Sequence, residues 1–214
     1  MAREKFEWNE SFRSDRIGGM NKTSGWTVLD TAHDMLRTAV HGLSDRDLGR
    51  PTPCSRWDVA QVVQHAAGDQ LAFAAAITGE PGPGYDPFQP SGTLDGTPMD
   101  LLEPSLTACA AAWATVGRDA AAVTVPVPPG SLTPDTGAGA AALDAAVHAW
   151  DIAVATGRPS PLTPEISRTL LGVAREIVEP LRQYGAYAAA LPHTGQDDVA
   201  ALLRHLGREP GWTA

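Results

Sequence analysis

Lysine is almost missing from this chain. Of its 16 basic residues 14 are arginine, and the two lysines, Lys5 and Lys22, both fall within residues 1–25. That segment holds five basic and four acidic residues. The formal charge of the whole is −9, so everything after Gly25 carries −10. Such a surface repels phosphate backbones, which excludes nucleic acid as a partner. It also disfavours anionic membrane surfaces. Long apolar runs are lacking as well, and none reaches the ~18 residues of a membrane span. The first residues include Arg3, Glu4, Lys5 and Glu7, where a signal peptide would be apolar. Cysteine is scarce: Cys54 and Cys109 make no disulfide framework. There is no Gly-x-Ser-x-Gly elbow of a hydrolase. Gly130, Gly137 and Gly139 form no phosphate loop, and no internal repeat is visible. These absences leave an acidic globular protein, expected in the cytoplasm, acting on small molecules.

What is present reads as helix separated by Pro/Gly-rich loops. Residues 1–25 are expected to be a flexible tail, or sequence upstream of a natural start at Met20. The domain is expected to fill 26–212. Val28, Leu29, Ala32, Leu36, Ala39 and Val40 give the spacing of an amphipathic helix over 27–42. Asp45 to Pro53 reads as loop. Ser55 with Asp58 three residues on predicts a capped helix running to Thr78, ended by Gly79 and Pro81. Residues 80–97 are a long loop. A third helix is expected at 98–118, and an edge strand at 123–127 because of its proline. Ser131 to Ala138 reads as loop, followed by a helix over 139–156. Thr163-Pro164-Glu165 opens another, expected to reach 185. A short helix is expected at 196–206. Long helices in this number favour an up-down bundle.

Two of the six histidines carry chemistry by their surroundings. His148 lies in an Ala/Val-rich stretch, with Asp144 four residues before it and Asp151 three after. On a helix these three side chains share one face. His65 has Asp69 in the same i, i+4 relation. Two helices thus each offer a His and a carboxylate to one interior, as bundle metal sites do. Two His and one carboxylate suit Zn²⁺ or Fe(II). The same spacing also fits a plain hydrogen bond. His33, His41, His193 and His205 read as exposed or loop-proximal. Cys54 sits before a helix start, which lowers a thiol pKa, or it packs. Cys109 reads as core. Trp57, Trp113 and Trp150 read as packing residues, and Trp57 and Trp150 flank the His-bearing stretches closely enough to line a cleft.

These motifs resemble a known family. Thr52-Pro53-Cys54-Ser55-Arg56-Trp57-Asp58-Val59 followed by Gln64-His65 resembles its opening. Asp144 to Gly157, with His148-Ala149-Trp150-Asp151, resembles its second signature helix. Gly207-Arg208-Glu209-Pro210-Gly211-Trp212 resembles its ending. The family is the actinobacterial group of metal-binding proteins related to the mycothiol-dependent maleylpyruvate isomerase N-terminal domain, in the DinB/YfiT-like superfamily. The resemblance runs from Trp26 to Trp212. It implies a mainly α fold: a DinB-like up-down-down-up four-helix bundle with a short β segment and additional C-terminal helices.

The resemblance further implies that His65, Asp144 and His148 hold a divalent metal, Zn²⁺ first, with Fe or Ni as alternatives. The isomerase has Glu where Asp144 stands, one methylene longer. Asp151 is implied in a proton-handling or supporting role, and Asp69 and Gln61 as substrate contacts. Relatives use the metal to ionise a low-molecular-weight thiol. The expected function is a metal-dependent thiol S-transferase or isomerase, with mycothiol as a possible partner. The alternatives are a thiol-independent hydrolase, cyclase or isomerase, and a non-catalytic metal-binding regulatory module. The isomerase has a further C-terminal domain, and 57 residues follow Gly157 here. Maleylpyruvate isomerase activity itself is therefore not expected to carry over. A homodimer is permitted.

Overall fold

A computed structural model describes residues 23–214. The expected tail lies outside the described residues as far as residue 22. Ser24 is already buried, and its Oγ accepts a hydrogen bond from Trp26 N.

The fold is mainly helical. Its elements are α1 (Thr27–Val40), α2 (Asp45–Leu48), α3 (Val59–Thr78), α4 (Pro98–Trp113), β1 (Val123–Thr124), β2 (Ser131–Leu132), α5 (Pro134–Ala155), α6 (Pro164–Arg182) and α7 (Asp198–His205). α2 lies inside the expected loop and is held by a capping box between Ser44 and Asp47. β1 and β2 form a two-stranded antiparallel hairpin; only its first strand is expected from sequence.

Four helices close a ring, in which α1 and α3 each pack against both α4 and α5. Their directions follow from named contacts. Trp26 Nε1 donates to Trp113 O, and Arg37 reaches Glu103, so α1 and α4 run antiparallel. Arg158, just past α5, donates to Ala39 O and His41 O at the end of α1, so those two helices run parallel. His65 faces Asp144 and His148, while Gln70 reaches back to Ala141, so α3 and α5 run antiparallel. The loop 79–97 returns along α3, and α4 starts near the beginning of α3. Gln61 Nε2 and Gln64 Nε2 donate to Pro90 O and Thr93 O on the way.

α5 is the central element and is buried along nearly its whole length. Its many alanines and two glycines permit that, because small side chains let neighbours approach. A Cβ on Gly139 would sit 2.5 Å from Val173 Cγ2, and one on Gly137 would sit 2.8 Å from Trp113 Cη2. Leu143 and Trp150 on it, and Leu29, Leu36 and Leu170 on its neighbours, are fully buried. Each such side chain stabilises the fold by about 1.5–3 kcal/mol. α6 and α7 pack together, and α6 packs on α5.

Two helix starts differ from expectation. Asp58, not Ser55, is the N-cap of α3, because Pro51 and Asp58 form a bridge that holds 51–58 as a loop. α5 begins at Pro134, five residues early, capped by Thr133.

Candidate metal centre

The site is built from the start of α3. Asp58 accepts from Gln61 N at 2.9 Å, and Gln61 Oε1 accepts from Asp58 N at 3.1 Å. This box fixes the first turn and so the face on which His65 lies. Gly68 then permits a close approach. A Cβ there would lie 2.8 Å from Pro87 Cγ, so only glycine lets the returning loop lie against α3. Tyr85 holds the loop by donating to Gln64 O at 2.7 Å. Pro87 O is thereby placed 2.9 Å from His65 Nδ1.

His148 is set from the other side. Its Nδ1 donates to Asp151 Oδ2 at 3.0 Å. Asp151 is fully buried and accepts from Arg208 Nε at 2.9 Å and Nη2 at 2.7 Å. Both imidazoles turn Nε2 inward. His65 Nε2 lies 3.6 Å from Asp144 Oδ1, and His148 Nε2 lies 3.4 Å from the same oxygen. The other oxygen, Oδ2, accepts from Gln70 Nε2 at 3.2 Å.

The donor set fits a metal ion. Pro87 O can only accept, so His65 Nδ1 carries the hydrogen. Asp151, held ionised by Arg208, imposes the same on His148. Each Nε2 is then a lone pair aimed at a carboxylate oxygen unless a proton or cation lies between. Ligating histidines are oriented in this way, with the outer nitrogen donating to a carbonyl or carboxylate. The ligand atoms of His65, Asp144 and His148 all lie within 4.8 Å of one another. Among the described residues, no other group of three or more His, Cys, Asp or Glu comes close enough to hold a metal.

Charge is concentrated here. Burial opposes a charged His65, but Asp69 and Asp144 outweigh it and raise its pKa to about 9. Burial pushes the Asp69 carboxyl up to about 7 against the pull of His65. Asp144 is held low, because His148 and His65 outweigh its burial. Asp151 is driven down to about 2, because Arg208 outweighs burial.

A cavity of about 70 Å³ opens on the triad. That is room for about five water-sized groups. Trp57, Phe73, Ile177 and Leu181 give it apolar walls, and half-exposed Phe88 stands 5.5 Å from the His65 ring.

The remaining sequence candidates are placed as follows. Asp69 lines the cavity, its Oδ2 3.7 Å from His65 Nε2, but it stands outside the three-ligand cluster. Gln61 is committed to Asp58 and Pro90 O. Asp151 works against His148 and Arg208 rather than lining the cavity. Cys54 lines the cavity, but burial pushes its thiol up to about 11, against a reactive thiolate. Trp57 lines it too, while Trp150 is core. His33 is a correction. It is buried, not exposed, because it lies on the inner stripe of α1 between Leu29 and Leu36. Its Nε2 is 2.9 Å from Gln70 Oε1. Gln70, Arg208 and Tyr187 belong to the site or its support without standing out by spacing. Arg208 alone had a signal, as part of the Gly-Arg-x-Pro ending.

Fold and site together define a mainly helical protein with a buried His-Asp-His group able to hold a metal ion. The model of the mycothiol maleylpyruvate isomerase N-terminal domain family matches residues 29–153, and the chain belongs to that family. Two uncharacterized proteins of Mycobacterium tuberculosis, from strains CDC 1551 / Oshkosh and H37Rv, are similar to it. Each is 30% identical over 154 residues, which cover 70% of this chain and 76% of the relative. No solved structure gives a significant match. Ile177, Leu181, Tyr187 and Arg208 lie beyond the matched residues, so part of the cavity wall is contributed from outside them. No helix among the described residues is long and apolar enough to cross a membrane.

Proposed function

We propose that this chain is a metal-dependent enzyme of the thiol S-transferase or isomerase type, using mycothiol or a similar thiol. The observation that carries this reading is that the triad lines an apolar-walled cavity and, among the described residues, no fourth ligand completes it. Asp151 commits its oxygens to Arg208 and to the outer nitrogen of His148, away from Nε2. An incomplete set leaves room for an exchangeable ligand, which favours an enzyme over a closed structural site.

His65 and His148 would supply neutral nitrogens and Asp144 a negative oxygen, a set that suits Zn²⁺ and also Fe or Ni. When bound, the cation lowers the pKa of a thiol or water brought to it. Asp69, on the wall beside His65, is the carboxylate placed to take the released proton and return it. Trp57 and Phe88 narrow the approach and keep water from the sulfur. The sulfur then adds to an electrophilic carbon of the second substrate. One S–C bond forms, the carbon's π pair moves toward its electron-withdrawing group, and the proton returns there. If the thiol later leaves, the net change is isomerisation. The thiol itself is proposed from the family, whose description names mycothiol.

Cavity size favours a second reading. About 70 Å³ holds a small substrate whole, but only the sulfur-bearing end of a sugar-linked thiol. A thiol-independent hydrolase, cyclase or isomerase fits that volume.

Metal analysis of the purified chain should give one divalent ion per chain, and His65→Ala should lose it. Full occupancy in His65→Ala would defeat the ligand set. The loaded protein should speed addition of mycothiol to an electrophile over the metal-free protein. Equal rates would remove the thiol reading, and turnover without thiol would select the second.

A further inference from the structure

We infer that Gln70 and His33 are positioning residues that make Asp144 present a single oxygen to the metal. The inference rests on the proposed metal site. Gln70 is fully buried on α3, and His33 is 1% exposed on α1. Neither touches the cavity, yet they make a continuous chain of hydrogen bonds to Asp144.

The bonding logic leaves one arrangement. The Gln70 amide has two N–H donors and one acceptor oxygen. Its nitrogen lies 3.0 Å from Ala141 O and 3.2 Å from Asp144 Oδ2. A carbonyl and an ionised carboxylate can only accept, so the amide cannot be flipped. Its oxygen must therefore face His33, and His33 Nε2, 2.9 Å away, must donate. Burial lowers the His33 pKa, so the ring is neutral with its hydrogen on Nε2. Every bond in the chain then has a donor and an acceptor, and its direction is fixed from α1 through α3 to α5.

The consequence falls on the carboxylate. Oδ2 is held by Gln70, and Gln70 is itself tied to the α5 backbone one turn before Asp144. Only Oδ1 faces the two imidazoles, at 3.4 and 3.6 Å. A carboxylate so held cannot swing to offer both oxygens, and the rest of the shell stays free for exchangeable ligands. Stability does not explain the trio, since apolar side chains of the same volume pack a bundle without buried polar groups to satisfy.

The test uses the full chain and Co²⁺ or Zn²⁺ alone as probes. Gln70→Leu should weaken Zn²⁺ binding about 10–100-fold, the usual effect of removing an outer partner of a metal ligand. It should also change the visible spectrum of the Co²⁺ form, as Asp144 turns to offer two oxygens. His33→Leu should do the same more weakly, and His33→Gln, which keeps an N–H donor at similar reach, should restore both readouts. A merely structural role would lower the melting temperature of the metal-free protein and leave the Co²⁺ spectrum and affinity unchanged. That outcome overturns the inference. If the leucine variants do not fold, the structure of the wild-type Zn²⁺ protein decides. One Asp144 oxygen on zinc with Oδ2 still on Gln70 supports the inference, and two oxygens on zinc overturn it. A wild-type chain that binds no metal defeats the metal reading itself, a result separable from normal binding that Gln70→Leu leaves intact.

Discussion

Arg208 is the residue on which the His148 side of the site leans. Its guanidinium lies on a fully buried carboxylate, and that carboxylate holds the imidazole. Removing one partner of a buried ion pair leaves an uncompensated charge, at a cost of about 3–5 kcal/mol. Arg208→Leu should therefore lose about that much stability in urea at pH 7. The pH dependence has a definite sign. Asp151 is held at about 2 in the folded chain, below the ~3.9 of a free aspartate. The wild type keeps the full contribution above pH ~4 and loses it as the pH falls through about 2. In Arg208→Leu burial raises the carboxyl instead, so stability should rise as the pH falls from 7 toward 5. A urea midpoint that matches wild type at pH 7, or drops on mild acidification, would contradict this. Helical spacing made two groups legible, His65 with Asp69 and His148 with Asp144 and Asp151, and the family resemblance picked His65, Asp144 and His148 out of them. Their supports were not legible. Arg208 is 57 residues from Asp151, Gln70 is 74 from Asp144, and His33 is 37 from Gln70. Periodicity carries no information at that range. The burial of His33 was nonetheless readable, since it stands four after Leu29 and three before Leu36.

At the scale of elements, α5 shows what a small residue can do. Gly137 falls in the stretch that reads as loop and Gly139 at the expected helix start, and both are places where another element touches the helix. Gly139→Ala should cost about 1–3 kcal/mol, because its Cβ would overlap Val173 and a packed core resists added volume. Gly172→Ala is the matched control. It lies exposed within α6 and meets nothing within 4 Å. Alanine there should stabilise by about 0.8–1 kcal/mol through helix propensity. Paired thermal melts would check both. Equal shifts for the two would mean that Gly139 is not a packing site. At the start of α5, Thr133-Pro134-Asp135 repeats the pattern of Thr163-Pro164-Glu165, which opens α6 as its sequence predicts.

For the whole molecule, the three residues of the candidate metal centre come from two antiparallel helices, and Gln70 extends the connection to a third. A metal bound there joins segments that the unfolded chain holds far apart. Its binding energy therefore adds to the stability of the whole bundle. At free metal 1,000-fold above Kd the gain is about 4 kcal/mol. Chelation should lower the melting temperature as one cooperative transition, and zinc should restore it. A melting temperature insensitive to chelator would argue that no metal bridges α3 and α5. The charge of the chain also reads differently at this scale. Asp151 and Arg208 are buried together and cancel, while Asp144 is buried between two imidazoles, so the surface is less acidic than −9 implies by about one charge.

The tie between Asp151 and Arg208 also sets an order in time. A ribosome delivers α5 well before residue 208, so the nascent chain holds His65, Asp144 and His148 while Asp151 still lacks the guanidinium that pins it. The carboxylate that holds the imidazole is itself pinned only when 57 further residues have been added. Ion capture would then be weak early in synthesis and tighten as the C-terminal segment docks. A product interrupted before Arg208 would look intact by its ligand set and still be a poor metal binder, a form that quality control could sort by loading rather than by sequence.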